Sequence, residues 1–283
     1  MFFLFYFIAK KDCGDKCDYE QSLVTLKDEL TETLNAKVFK LENSQLVRLY
    51  NPQKKEPAIV FLRKGVPLLY DEADNHHDIF DFFNHNRDPI VKELDDSNFE
   101  HLTQASSGST TGDWLIQFYS SDCVECQRLQ AIWESVAAKL RARLNVARVN
   151  IGRNGMLTGK RFKIEKKPEF ILLRQGKYYR YNINKFDIES FVSFAQTWYK
   201  NITPEKVQAP ATPFENLVDS IVKKLKAMPN FIELSKNMTN DSPLIIIAIA
   251  SSIFLMFAII LYSLLKKDKT APPAKSNIKK KEK

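Results

Sequence analysis

Once its tail is set aside, this chain has almost no net charge. The 283 residues carry a formal charge of +8, yet eight lysines after Leu265, against Asp268 and Glu282, place +6 of it in the last 18 residues. A nucleic-acid surface needs cations spread over a folded face so that binding releases counterions, and that class is excluded. Cysteine and histidine are also scarce, with four of each. The cysteines form two close pairs, Cys13/Cys17 and Cys123/Cys126, more than a hundred residues apart. His76, His77 and His85 cluster around a helix start near neither pair. A zinc site needs its ligands together, so neither a metal nor any other cofactor is expected.

Charge is missing altogether from Leu244 to Leu265, "LIIIAIASSIFLMFAIILYSLL", a run of 22 residues. That length matches the hydrocarbon core of a bilayer, and a core helix as long would carry a polar face. The run is therefore read as a transmembrane helix. The lysines beside it keep residues 266–283 in the cytosol by the positive-inside rule and leave everything before Pro243 on the other side. Three glycosylation sequons, at Asn201, Asn237 and Asn240, fall on that side, within a proline-punctuated stalk over residues 201–243. Within the stalk, "FENLVDSIVKKLKAM" reads as an amphipathic helix, which either lies near the membrane or packs on the preceding domain. The chain ends "KKKEK", where Lys280 and Lys281 resemble a dilysine retrieval signal of endoplasmic reticulum membrane proteins; the bland reading is a disordered basic tail. The opening "FFLFYFIA" lacks the basic residues that start a signal peptide. It is read as a strand, which leaves entry into the lumen unexplained unless the natural chain begins earlier. The rival topology is a tail-anchored protein with its domains in the cytosol.

One supersecondary plan occurs twice. Cys13 is followed by Pro57 after 44 residues and Cys123 by Pro168 after 45. "PAIVFLRKG" from Pro57 aligns without a gap with "PEFILLRQG" from Pro168, and Asp-Ile-x-x-Phe follows in both copies. In the second copy the patterns predict a strand over 90–94, a helix capped from Asp95 with its aspartates at the positive end, and a buried strand over 114–118. A helix then starts at the cysteines, with Leu129, Ile132, Trp133, Val136 and Leu140 on one side. A strand at "NVARVNI", a helical segment to Ile164, two strands turning at Gly176 and a helix opened by Asp187 complete it. The order βαβαβαββα is that of an α/β sandwich with a mixed sheet.

With "FY" and three residues before a C-x-x-C, a proline 45 residues on and a Gly-turned hairpin after it, residues 88–200 resemble a thioredoxin domain of the protein disulfide isomerase type. Two such domains followed by a span and a basic tail resemble the membrane-anchored thioredoxin-related proteins of the endoplasmic reticulum. Residues 1–87 are the degenerate copy: only 12 residues precede Cys13, so the opening strand and helix have no counterpart, and its cysteines are separated by three residues. It is read as a noncatalytic, substrate-binding or structural domain in which Cys13 and Cys17 are positioned for a structural disulfide.

The resemblance implies a thiol–disulfide oxidoreductase acting on lumenal client proteins that bear cysteines, with Cys123 attacking and Cys126 resolving. Pro168 takes the place of the family's cis-proline, and with Lys167 it is the expected client-binding element. A helix N-terminus favours the thiolate that the chemistry needs. Three departures from the family pattern predict a slow, weakly oxidising dithiol: Asp122 in place of the usual tryptophan, Val124 and Glu125 between the cysteines, and Gln117 where a buried acid is usual. The rival function is a thioredoxin-like adaptor or chaperone whose cysteines only brace the fold.

Overall fold

The structure, a computed structural model, describes residues 2–7, 18–42, 50, 58–72, 75–108, 111–227, 251–252 and 254–257. Residues 1–210 form one compact unit and residues 211–283 another. The first unit opens with β1 (Phe2–Phe7), α1 (Asp18–Leu34), β2 (Ala36–Leu41), the hairpin β3 (Ala58–Arg63) and β4 (Val66–Tyr70), and α2 (His76–His85). It continues with β5 (Lys92–Leu94), α3 (Phe99–Thr103), β6 (Trp114–Tyr119), α4 (Val124–Arg128), α5 (Gln130–Leu140), β7 (Asn145–Asn150) and α6 (Met156–Arg161). The hairpin β8 (Glu169–Arg174) and β9 (Lys177–Arg180), α7 (Ile188–Gln196), a 3-10 turn (Trp198–Asn201) and β10 (Glu205–Lys206) close it.

The two sheets share one topology. The first runs β2-β1-β3-β4, with β1 parallel to β2 and antiparallel to β3. The second contains the same series as β7-β6-β8-β9, with the same directions, and adds β5 outside β7 and β10 outside β9. Both hairpins turn on two residues with positive φ, Lys64–Gly65 and Gln175–Gly176, a conformation that glycine adopts without steric cost and that suits the twist of a hairpin. The second sheet also outruns the expected end of its domain at residue 200. Glu205 pairs with Tyr178, and Val207 is buried with its N–H on Gly176 O at 2.9 Å.

Two local features depart from the sequence reading. Asp95 holds the start of α3 through the N–H groups of Ser97 and Asn98, but Asp96 serves a different helix: its carboxylate accepts Leu157 N–H at 3.0 Å and Thr158 N–H at 2.7 Å. The N-terminus of α6 has no capping side chain of its own, and Asp96 satisfies its orphan donors across the fold. The helix expected to run on from the cysteines is broken at Leu129 into α4 and α5.

Beyond the one apolar side read in the sequence, α5 has a second contact, because the first sheet packs on it. Leu129, Ile132, Trp133, Val136 and Leu140 do pack on their own sheet, but Ala58 and Val60 of β3 and Leu69 of β4 share that core cluster. Ile59 and Phe61 point the other way, into a core with Leu23, Leu26 and Leu30 of α1 and Phe83 of α2, as strand alternation requires. Thus α5 lies between two sheets. Ser135 Oγ donates to Leu69 O at 2.5 Å, and Glu134, 3% exposed, pairs with Arg63, 0% exposed. The Glu134 carboxylate also accepts the N–H groups of Ile90 at 3.1 Å and Val91 at 3.3 Å.

A buried ion pair that loses one partner leaves an uncompensated charge, which costs about 3–5 kcal/mol. Arg63→Met is therefore expected to destabilise the chain by about that much, and Arg63→Met with Glu134→Gln by less, because no buried charge is then left and the amide oxygen still accepts from one of the two linker amides. Denaturant midpoints of wild type and the two variants measure both. A cost below about 1 kcal/mol for Arg63→Met would place the pair among ordinary surface contacts.

Candidate redox site

The cysteine pair lies where β6 ends and α4 begins. Cys123 is the N-cap residue of α4: its backbone is extended, and its Sγ accepts the Cys126 N–H at 3.1 Å. Cys126, one turn on, is 5% exposed, whereas Cys123 is half-buried. The two are joined as a disulfide with Cα atoms 5.2 Å apart, so this is the oxidised state of the site. Only one sulfur is open to attack from outside. If a thiolate forms at Cys123, it has a backbone donor already in place and the positive end of a helix beneath it.

The Lys167–Pro168 peptide bond is cis. Lys167 Nζ stands 3.9 Å from the Asp122 carboxylate, so the residue before the disulfide and the residue before the proline face each other. The Asp122 carboxyl is held below its ordinary range by the Ser120 hydroxyl, its own backbone N–H and Lys167. The sequence reading set Asp122 against Cys123 ionisation without an offsetting cation; the structure supplies one. A cleft of about 560 Å³ opens beside Pro168, lined among others by Lys163, Lys166, Phe170, Tyr181 and Phe186. Burial raises the Tyr181 hydroxyl to about 12, so this wall of the cleft stays uncharged at any physiological pH.

Gln117 is 2% exposed. Alternation along β6 puts it on the face of Leu115, which packs with Leu129 and Ile132 below the cysteine helix. Its Nε2 has no hydrogen-bond partner. The position thus has the burial of a proton acceptor and the wrong chemistry for one: an amide cannot take a proton from a thiol.

Residues 90–197 match the family model described as Thioredoxin. They form a thioredoxin domain. The chain is 40% identical over 129 residues to a "Thioredoxin domain-containing protein" of Theileria parva, covering 46% of this chain and 58% of that protein. It is 32% identical over 123 residues to human "Thioredoxin-related transmembrane protein 1", covering 42% of this chain and 40% of that one. The matches thus span about half the length of these curated relatives. Among solved structures, full-length ERdj5 aligns with a TM-score of 0.40 at 22% identity, over 72% of this chain and 29% of that chain.

Of the other residues singled out in the sequence, Asn201 is exposed at the end of the 3-10 turn of the thioredoxin domain. Cys13, Cys17, Asn237, Asn240, Lys280 and Lys281 lie outside the described residues. His76 and His77 sit in the first turn of α2 and His85 in its last. Among the described residues no cluster of His, Cys, Asp or Glu suits a metal ion. The Arg63–Glu134 pair was missed, since a glutamate in a helical run reads as a solvated residue.

Gln117→Glu restores a proton acceptor without changing side-chain length, and burial raises its pKa. Turnover in a disulfide-reduction assay is expected to rise on the order of tenfold. The rate should also acquire a new dependence on pH, increasing as the buried carboxyl ionises. An unchanged rate and profile would remove position 117 from the proton path.

Proposed function

We propose that the chain is a thiol–disulfide oxidoreductase acting on cysteine-bearing client proteins, with Cys123 and Cys126 as its redox centre. The observation that carries this reading is the placement of Cys123: half-buried at a helix N-cap, bonded to the Cys126 N–H, on a thioredoxin domain whose cis-proline loop faces it. In the reducing direction the Cys123 thiolate attacks one sulfur of a client disulfide, and the client's other sulfur leaves as a thiolate. Cys126, deprotonated, then attacks Cys123 Sγ and releases the second client thiol. Two electrons pass to the client, and the enzyme ends as the disulfide of this structure. In the other direction a client thiolate attacks Cys123, the more open sulfur, and Cys126 leaves. The cleft beside Pro168 and the Lys167 side chain take up client residues next to the reacting sulfur.

The first half serves this domain as a noncatalytic copy of the same plan. The chain acts from a membrane, with Leu244–Leu265 as its span and the redox domain in the lumen of the endoplasmic reticulum. Among the described residues no helix is long and apolar enough to cross a membrane; of that run the structure describes 251–252 and 254–257. Those residues are helical, with Phe254, Leu255, Met256 and Phe257 exposed. Support comes also from the uncharged length of the run, the lysines after it, the three sequons before it and the word "transmembrane" in the name of the human relative.

A second reading, a client-binding adaptor without turnover, draws on the orphaned amide of Gln117. Cys126→Ser separates the two. An oxidoreductase accumulates mixed disulfides with clients through Cys123, and Cys123→Ser abolishes them. No trapped species, with no turnover by the wild type, leaves the adaptor. Topology has its own measurement: the expressed chain should shift to lower mass with a high-mannose-specific glycosidase, and Asn201→Gln should remove part of that shift. A chain without glycans would reverse the orientation.

A further inference from the structure

The second compact unit begins with α8 (Pro213–Lys226), a helix specified locally. Thr212 Oγ1 accepts the Glu215 N–H at 3.2 Å while the Glu215 carboxylate accepts the Thr212 N–H at 2.7 Å, a reciprocal capping box, with proline at the first helical position. Every side chain of this helix that the structure describes is exposed. Among them are Phe214, 70% exposed, and Leu217, Val218, Ile221 and Val222, spaced as a single stripe. Glu215, Asp219, Ser220 and Lys223 take the opposite side. A capped helix that leaves such a stripe in water is built to cover it with something else.

We propose that α8 lies in the membrane interface with this stripe in lipid, so that the bilayer and not a protein is its partner. The occupant follows from the chain itself. Seventeen residues, 227–243, separate the helix from the uncharged run at Leu244, a reach of about 60 Å at full extension. A chain seated through that run keeps α8 beside a lipid surface at an effective concentration on the order of millimolar or more, whereas a protein partner must be met by diffusion. The charge pattern sets the kind of lipid contact. Glu215 and Asp219 nearly offset Lys223, Lys224 and Lys226, so apolar burial, not attraction to anionic headgroups, holds the helix. The inference rests on the reading of Leu244–Leu265 as a span, and its test separates the two.

The full chain is placed in nanodiscs of phosphatidylcholine with brominated acyl chains. An environment-sensitive fluorescent amino acid is introduced singly at Ile221, Asp219 or Leu255. Quenching is expected to be severalfold stronger at 221 than at 219, deepest at 255, and unaltered by phosphatidylserine or by salt. Quenching at 255 with 221 no more quenched than 219 overturns the lipid contact and keeps the span. Quenching at 221 without quenching at 255 keeps the contact and removes the span. A probe at 221 shielded from aqueous quencher yet untouched by bromine means that a protein or second copy covers the stripe, and also overturns the proposal. Leu217→Glu, which spares the capping box, should reduce quenching at 221 severalfold.

Discussion

One carboxylate ties the first unit together. Glu134 sits on the helix that continues from the disulfide, and it receives a guanidinium from β3 of the first half and two amides from the linker that joins the halves. Three segments distant in sequence therefore meet at one buried negative charge. Isolated, that charge would be intolerable in the interior; with three donors it fixes where β3 and residues 90–91 lie against α5. Arg63 is less well served. Its Nε and Nη1 have no partner, and burial lowers its pKa against the opposing pull of Glu134. A pair with orphaned donors contributes little net stability over an apolar replacement. What it adds is a constraint on docking: any shift that separates Arg63 from Glu134 leaves a buried charge alone.

This docking also accounts for how the first sheet is covered. A sheet buried on both faces needs cover on both. In the second half, α4, α5 and α7 lie on one face, and Phe99 of α3 and Phe162 beside α6 fill the other. In the first half, α1 and α2 cover one face, and the other face, through Val60 and Leu69, rests on α5. That second face is therefore covered by a helix of the second half.

The elements of the second half were largely legible, because their signals are local: alternation at β6 and β8, glycine in the hairpin turn, and Asp187 capping α7 through the Ser190 N–H. The cis bond at Pro168 was legible only through family resemblance; nothing in the dipeptide itself selects cis over trans. The misses share one cause. Asp96 capping α6, Lys167 facing Asp122 and Glu134 holding Arg63 each join residues at least 45 positions apart. Each side chain, read alone, looks like a solvated charge. Charge pairing across a fold leaves no periodic trace, whereas an apolar stripe does, and this is why α5 showed only one of its two faces in the sequence.

Sheet edges further constrain how a client approaches the disulfide. An extended peptide adds most readily to an unpaired strand edge, and such edges are usually blocked or shortened. Here β10 covers β9, and the opposite edge, β5, is three residues long and carries Lys92 and Glu93. In the first sheet, the edge strand β2 presents Lys37 and Lys40, and the other edge strand, β4, carries Pro67, which has no N–H to donate, and engages Leu69 O with Ser135 Oγ. None of these offers a strand that is both uncharged and unobstructed. The backbone around the cis bond at Pro168 is different: it lies outside β8, faces the residue before Cys123 and borders the cleft walled by Phe170 and Tyr181. On the proposed function, a client paired there would have its sulfur next to Cys123, whereas one paired at a guarded edge would be held at a distance. Among the described residues, the guarded edges would then restrict client pairing as much as the segment at Pro168 permits it.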